Sequence, residues 1–339
     1  MLISIFGSIE SGIIYALMAL GVYLSFRILD FPDLTVDGSF VTGAAVAAIS
    51  IINGFSPLVA TLFAVIAGFL AGCVTGILHT KGKINPLLAG ILMMIALYSI
   101  NLRIMGRPNL PLLNEETLFT KLTATWQSLG IDSLFNPILT IFGASQLPRT
   151  WAIVCVMLIV TLLIKFLTDY FLKTEIGLAI RATGDNKRMI RSFAANTDWL
   201  IILGLGISNG LVALSGALIA QYGGFADVGM GIGMIIIGLA SVIIGEALFG
   251  TKTIARTTLA VIGGAIIYRI VVTLALRADF LETGDMKLIT AVIVIAALVT
   301  PKLLDAQREK KRRLRKRQEL SEKLKLDHQQ KGGKSSATS

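Results

Sequence analysis

Apolar runs of about 20 residues recur along this chain and leave it one class of fold. The hydrocarbon core of a bilayer is about 30 Å thick, and a helix needs about 20 consecutive apolar residues to cross it. Hydrophobic residues make up 54% of the chain and charged residues only 15%, against about 25% charged residues in soluble domains. The sequence therefore predicts an all-α integral membrane protein, a polytopic bundle of about nine transmembrane helices. The runs cover residues 3–25, 36–53, 57–79, 86–103, 151–172, 199–221, 231–250, 255–275 and 286–304.

The formal net charge of +10 is concentrated at the C-terminal end. From Lys302 onward there are 13 Lys and Arg against 5 Asp and Glu, whereas the rest of the chain has 18 against 16. This distribution excludes a basic nucleic-acid-binding face on a folded domain. We expect residues 306–339 to form a basic, partly disordered cytoplasmic tail, which either anchors the chain beside anionic lipid or docks a partner.

Basic residues between the apolar runs predict the orientation of the chain. If the tail is inside, alternation of the runs places every short basic connection inside as well. The N-terminus is then outside and the C-terminus cytoplasmic. The connection 104–150 becomes the largest extracellular feature, and its amphipathic stretch LFTKLTATWQSLG is expected to lie on the membrane surface. The inner connections carry Arg27, Lys81 and Lys83, the segment 173–198, and Lys252 and Arg256.

A weak internal repeat relates the two ends of the membrane domain, which we place at residues 1–305. Residues 12–24 align with residues 206–218, and at the same offset Asp33 falls on Asp227. The offset carries the first apolar run onto the sixth, which crosses the membrane in the opposite direction. Inverted repeats are common in transporters, with the substrate route near their interface; chance similarity between Leu-, Ala- and Gly-rich helices is the alternative. The two repeats would be residues 1–103 and 199–305, approximately.

Charged residues inside the apolar runs are few, and each is a functional hypothesis by default. Asp37 and Glu246 are expected near the cytoplasmic ends of their runs, where capping or interfacial pairing suffices. Asp33 and Asp37 also suit the start of a helix. So small a number argues against a proton relay or an ion-coupled carrier. The set at membrane depth is Glu10, Asp37, Glu246 and Arg269.

The glycines indicate close helix packing at one place and a break in a helix at another. Gly68, Gly72 and Gly76 repeat every four residues in the third run, as small residues do where helices pack closely in lipid. The segment 229–233, GMGIG, precedes the seventh run and favours a broken helix beside the substrate route. Ordinary helix packing is the alternative for every candidate lining residue. The candidates are Ser39, Phe40, Thr42, Met230, Met234 and Ile235.

The sequence contains no pattern that suggests catalysis or metal binding. Cys73 and Cys155 fall within apolar runs, and His79 and His328 stand alone. Gly-Lys-Ser at 333–335 lacks the upstream glycine and the preceding strand of a P-loop. We expect no catalytic residue, metal or cofactor on this chain. If the protein pumps a solute, ATP and Mg are expected on a partner subunit.

The segment 173–198, KTEIGLAIRATGDNKRMIRSFAANTD, is a charged, helix-forming stretch between two apolar runs. Arg181, Lys187, Arg188 and Arg191 give it a positive balance, which predicts a cytoplasmic position. An ordered amphipathic segment between two membrane spans is suited to docking a soluble partner. We expect this segment to receive force from such a partner.

Three separated motifs give residues 5–305, approximately, a family resemblance. The segment just described carries Gly177, Arg181 with Ala182, and Gly184 with Asn186. Two further stretches, GIIYALMALGVYLSFRILDFPDLTVDGSF and GMGIGMIIIGLASVIIGEALFG, are more specific. The chain resembles the permease subunits of bacterial ATP-binding cassette importers in the branched-chain amino acid and ribose permease superfamily. Its motifs are most similar to the subgroup described as tryptophan- or tyrosine-type, or as uncharacterised.

The resemblance implies a multi-pass permease of the bacterial cell membrane that imports an amino acid or an amino-acid-like compound by alternating access. It also implies a homodimer or pseudo-dimer of permeases, two cytosolic ATPase subunits, an extracellular or periplasmic binding protein, and a coupling helix at 176–191. An ion-coupled secondary transporter, or an importer of a sugar or nucleoside, is the alternative. The coupling residues that the resemblance implies are Gly177, Arg181, Ala182, Gly184, Asp185, Asn186, Lys187, Arg188 and Arg191.

Overall fold

The computed structural model describes residues 2–132, 150–193 and 195–276, together with six single positions between 288 and 299. The chain divides into two compact units, residues 1–291 and 292–339. In the second unit the described positions are 292, 295, 296 and 299, and all four are helical. The predicted ninth span at 286–304 therefore lies largely outside the described residues, and the basic tail at 306–339 lies wholly outside them.

The first unit is built from ten helices and two short strands within its described residues. The helices are α1 (Leu2–Tyr23), α2 (Thr35–Ile52), α3 (Pro57–Thr80), α4 (Pro86–Met105), α5 (Leu118–Ser128), α6 (Ala152–Phe171), α7 (Glu175–Ser192), α8 (Thr197–Gly223), α9 (Met234–Phe249) and α10 (Ile254–Ala275). A π-helical turn, Leu24–Ile28, extends α1, and a 3-10 turn, Val228–Gly231, precedes α9. The strands are β1 (Asn109–Pro111) and β2 (Phe225–Asp227).

Within the part of the chain that the structure describes, eight helical stretches are long and apolar enough to cross a membrane. They correspond to the first eight predicted runs, which confirms the all-α polytopic class. The exceptions in length or polarity are α5 and α7, which come from the stretches predicted to be amphipathic. The eight are α1 with its π-helical turn, α2, α3, α4, α6, α8, α9 with its preceding turn, and α10.

Local sequence chemistry explains where several helices begin and end. Pro57 and Pro86 occupy the first positions of α3 and α4, where a missing N–H costs nothing because it has no intrahelical partner. The Asn85 side chain accepts the N–H of Leu87 and so caps α4. Gly106 and Gly224 follow α4 and α8 in the left-handed conformation, which glycine adopts without a steric penalty.

The long helix α8 lies at the centre of the packing. The glycines of α3 face it: a Cβ on Gly72 would overlap the carbonyl of Leu205, and one on Gly76 would lie 2.7 Å from the Cα of Ile202. This agrees with the structural role predicted for the glycine repeat, because only a small residue permits so close an approach.

Hydrogen bonds fix α8 against α1 on another side. The Ser208 hydroxyl donates to the carbonyl of Gly21 at 2.6 Å, and the Ser215 hydroxyl donates to the carbonyl of Ile14 at 2.9 Å. Both bonds link a side chain of α8 to the backbone of α1, so they set the register of the two helices.

The two strands form a short antiparallel ribbon in which Leu110 pairs with Ala226. The ribbon joins the connection after α4 to the connection after α8, two segments that the topology prediction places on the same side of the membrane. The sequence analysis did not predict these strands, because three residues are too few to show an alternating pattern.

The packing of α3 on α8 gives a testable prediction. We expect Gly72→Ala to lower the midpoint of thermal unfolding of the detergent-purified protein, since its methyl group would overlap the Leu205 carbonyl. Overpacking of this kind costs about 1–3 kcal/mol. The matched control is Gly7→Ala in α1, where an added Cβ meets nothing within 4 Å. Equal midpoints for the two variants would contradict the assignment.

Candidate functional site

The predicted docking segment forms α7, which consists of two helical pieces. The Thr174 hydroxyl oxygen accepts the N–H of Gly177 and caps the first piece. Asn186 interrupts the helix with an extended backbone at φ −154° and ψ 87°. Its side-chain oxygen accepts the N–H of Met189 at 3.1 Å and caps the second piece. The asparagine of the family motif is therefore a helix cap at a bend.

Two glycines bring α7 into backbone contact with the membrane helices. A Cβ on Gly177 would overlap the carbonyl of Phe171 at the end of α6. A Cβ on Gly184 would overlap the carbonyl of Ile28 at the end of the turn that extends α1. These contacts explain why glycine stands at both positions.

Apolar side chains complete the attachment of α7. Ile180 and Ile190 are buried in one cluster with Leu29, Leu200 and Leu205. The cluster joins the inner face of α7 to the chain beyond α1 and to the first half of α8. A displacement of α7 would therefore act on both helices.

Basic residues of the second helical piece are tied to the start of α8. Arg191 donates from Nε to the Thr197 hydroxyl at 3.0 Å and from Nη2 to Asp198 at 3.1 Å. Lys187 Nζ lies 3.9 Å from the same carboxylate. Partial burial lowers the pKa of the Lys187 ammonium, while the charge of Asp198 opposes that shift. Arg188, by contrast, is exposed.

The outer face of α7 is a mixed apolar and charged surface, defined here as the free face: Leu178, Asp185, Arg188 and Met189, all exposed. Such a mixture suits a contact with a soluble protein, since interface patches combine apolar and charged groups. Among the predicted coupling residues, Gly177 is buried, Arg181, Ala182, Gly184 and Lys187 are half-buried, and Asp185, Asn186, Arg188 and Arg191 are exposed.

The structure gives side-chain partners to three of the four charged residues predicted at membrane depth. The Tyr222 hydroxyl donates to Glu10 at 2.8 Å. Arg269 donates to the Ser11 hydroxyl at 3.2 Å, and its guanidinium lies 4.6 Å from the centre of the Tyr15 ring. Glu246 forms an ion pair with Arg27, which joins the end of α9 to the end of α1. The last pairing agrees with the interfacial role expected for Glu246.

Asp37 lies in the first turn of α2, as expected of a carboxylate at a helix start, but its hydrogen bonds reach another helix. Its Oδ2 accepts the N–H of Gly233 at 2.9 Å, and its Oδ1 accepts the N–H of Ile235 at 2.8 Å. It therefore caps α9 rather than its own helix α2. Asp37 thus joins the first turn of α2 to the start of α9.

Two polar groups within the domain were missed. Lys165 Nζ lies 2.6 Å from Asp169 in α6, and both side chains are buried. The Thr258 hydroxyl donates to the same carboxylate at 2.7 Å and links α6 to α10. Opposite charges four residues apart on a helix are the signal that could have found this pair.

The second missed group surrounds Asp33, which is fully buried. Its Oδ1 accepts the N–H of Thr35 at 2.9 Å, and its Oδ2 accepts from Asn209 Nδ2 at 2.6 Å. The first bond confirms that Asp33 suits a helix start. The second bond, to the middle of α8, had no signal in the sequence.

The candidate route residues pack mainly within the domain interior. Phe40 and Ile235 belong to one buried cluster, with Met230 and Met234 packed against it. Ser39 and Thr42 are also buried. Among the described residues, no group of three or more His, Cys, Asp or Glu side chains could hold a metal ion.

Comparisons with known proteins place this architecture in a family. Residues 4–298 match the family described as the permease component of branched-chain amino acid transport systems. A tyrosine transport system permease protein of Clostridioides difficile is 46% identical over 291 residues, which are 86% of this chain and 89% of that protein. An uncharacterised protein of Rickettsia prowazekii is 34% identical over 88% of this chain and 98% of its own length.

More distant similarity reaches permeases with other named solutes. A galactofuranose transporter permease of Escherichia coli is 28% identical over 60% of this chain and 52% of its own length. No solved structure matches the chain. The match over residues 4–298 and the 46% identity decide the assignment: the chain belongs to the branched-chain amino acid transport system permease family, the membrane-spanning subunits of ATP-binding cassette importers.

Proposed function

We propose that this chain moves an amino acid inward across the bacterial cell membrane by alternating access. Membership of the permease family implies a non-catalytic transport subunit that works with an ATPase and a substrate-binding protein. The amino acid, rather than a sugar or nucleoside, is supported by the name of the tyrosine transport permease at 46% identity. Aromatic amino acids are the first solutes to test.

The observation that carries the proposed mechanism is the placement of α7. Its inner face is fixed to α6 and to the turn that extends α1 by backbone contact at Gly177 and Gly184, and to α8 by the buried apolar cluster. Its free face is exposed. A soluble ATPase that bound the free face could move α7 as a rigid body, and the attached helices would follow. ATP binding by the partner would thereby change the side of the membrane from which the substrate route is accessible.

Reciprocal packing supports the inverted repeat as part of this proposal. A Cβ on Gly12 would lie 2.9 Å from the Cα of Ile266, and one on the aligned Gly206 would lie 2.8 Å from the Sγ of Cys73. At the same offset Cys73 falls next to Ile266. Each aligned glycine therefore packs against a helix of the opposite repeat, which supports the inverted relation.

The aligned carboxylates behave alike as well. Asp33 Oδ1 accepts the N–H of Thr35 at 2.9 Å, and Asp227 Oδ1 accepts the N–H of Gly229 at 2.7 Å. In both cases the carboxylate accepts the N–H of the residue two positions later, at the start of a helix or helical turn. Two repeats related in this way could exchange conformations, which is how alternating access arises in such transporters.

The orientation and assembly are further parts of the proposal. With α7 facing the cytoplasmic ATPase, the β1–β2 ribbon lies outside, the N-terminus is outside and the C-terminus is cytoplasmic. The β1–β2 pairing and the Arg27–Glu246 ion pair each join connections that this topology puts on one side. Two copies of the chain would form the membrane unit, with one ATPase beneath each α7.

Charge reversal on the free face tests the coupling. We expect Arg188→Glu to uncouple ATP hydrolysis from solute uptake, because the exposed guanidinium is placed to meet the ATPase; Arg181→Glu, at a half-buried site, should act in the same direction. The measurement compares both rates in proteoliposomes that contain the ATPase and the binding protein. The matched control is Arg107→Glu, an exposed arginine near β1. Coupling at the wild-type ratio in Arg188→Glu would refute the assignment.

Uptake by the reconstituted transporter tests the solute class. We expect ATP-dependent accumulation of labelled L-tyrosine that requires the binding protein and persists when ion gradients are collapsed. Uptake of labelled leucine, a second amino acid, and of labelled galactose and a labelled nucleoside, which represent other solute classes, is measured in the same way. Accumulation driven by an ion gradient without ATP would instead establish a secondary transporter, and preferential uptake of the sugar or nucleoside would reject the amino-acid assignment.

A further inference from the structure

A cavity of about 420 Å³ opens between α2, α4 and the 3-10 turn before α9. We call it the lateral cavity. Its size is in the range of sites for small molecules. The route residues predicted from the sequence are not among those lining it. Its lining includes Asp37, Ile95, Tyr98, Ser99, Asn101 and Ile232.

The lateral cavity lies at an interrupted transmembrane helix. Gly233, with φ at +87°, separates the 3-10 turn from α9. The backbone of Gly231 lies against that of Asp37, where an added Cβ would overlap the Asp37 carbonyl. Discontinuous helices of this kind form the solute sites of many transporters, because their ends offer polar groups inside the membrane.

Asn101 supplies an independent indication of a ligand. Its side chain is 0% exposed and lines the cavity. Its Nδ2 donates to the carbonyl of Gly38 at 3.1 Å, whereas its Oδ1 has no hydrogen-bond partner among the described residues. A buried acceptor without a donor is costly and calls for a specific explanation. A hydrogen-bond donor on a bound solute would satisfy it.

The remaining lining defines the chemistry of that solute. Asp37 adds a carboxylate, and the described lining contains no Lys, Arg or His. Ile95, Tyr98 and Ile232 form an apolar wall, with exposed fractions of 59%, 54% and 60%. Acceptors without a basic partner favour a positively charged donor, and the wall suits an aromatic or long apolar body.

We propose that the lateral cavity binds the imported solute, with its ammonium group at Asn101 Oδ1 beside Asp37 and its aromatic body against Tyr98. This inference rests on the proposed function and deepens it by placing recognition in the permease itself. Recognition is directed at the ammonium, because the described lining offers acceptors and no basic side chain. An amine without a carboxylate should therefore occupy the site, whereas an acid without an amine should not.

Protection of a cysteine from alkylation tests the site. Cys73→Ala and Cys155→Ala give a cysteine-free background, which must retain uptake, and Ser99→Cys places one thiol in the lateral cavity. Alkylation by N-ethylmaleimide is timed in membrane vesicles with L-tyrosine, tyramine or 3-(4-hydroxyphenyl)propionate at equal concentrations. We expect the first two probes to slow alkylation several-fold and the propionate to have no effect. Leu70→Cys, on the exposed face of α3, is the control and should respond to none of them.

Two substitutions sharpen the test. Asn101→Leu should raise the half-protecting concentration of tyramine about tenfold or more, as expected for loss of a hydrogen bond to a charged group. Tyr98→Phe should preserve protection, and Tyr98→Ala should weaken it. Tyr170→Ala is the matched control, since Tyr170 is 73% exposed on α6 and does not line the cavity.

The outcomes separate the site from the proposed function. Alkylation that is insensitive to both amines, as when a lipid chain fills the cavity, overturns the site, and so does equal protection by the propionate. ATP-dependent tyrosine uptake is measured in parallel with the wild-type transporter. Uptake without protection rejects the lateral cavity alone, whereas protection without ATP-dependent uptake supports the site and rejects the proposed importer.

Discussion

Backbone contact around α8 is the constraint on which the rest of the structure depends. Helices in lipid gain little by burying apolar surface against one another, so their association depends on close packing and hydrogen bonds. Gly72 lets α3 approach the α8 backbone, and Ser208 and Ser215 bond to carbonyls of α1. These contacts allow one separation and one register. The attachment of α7 and the lateral cavity both depend on the frame that α1, α3 and α8 form.

A second constraint comes from the breaks in the helices. Backbone groups in the hydrocarbon region need partners within the protein, and a buried carboxylate is costly unless it is hydrogen-bonded. At two places a buried carboxylate accepts hydrogen bonds from backbone N–H groups at a helix start, so that both kinds of group gain a partner. Asp33 accepts the first N–H of α2, and Asp37 accepts the N–H groups at the start of α9. The polar interior is therefore assembled from helix starts, and the lateral cavity lies beside one of them.

The sequence predicted what depends on local pattern. The lengths of the apolar runs predicted eight of the spans. The glycine spacing predicted the face of α3 that packs against another helix, and the charged residues between the runs predicted α7. What it could not supply is the identity of distant partners. Asp37 was expected to cap the helix that contains it, because sequence shows only adjacent N–H groups; its actual partner, Gly233, is brought close by the packing of α2 and α9. Lys165 and Asp169 were overlooked inside an apolar run, although their spacing on one helical face was visible.

The same contacts connect the free face of α7 to the lateral cavity. Gly184 lies on the carbonyl of Ile28, residues 29–34 lead directly into α2, and Asp37 in the first turn of α2 holds the start of α9. The first two links are backbone contact and covalent chain, and the third is a pair of hydrogen bonds from backbone N–H groups to the Asp37 carboxylate. Under the proposed function, movement of the ATPase would thus reach the starts of α2 and α9 first. A permease with few membrane-depth charges could in this way couple ATP binding to solute release without a relay of ions.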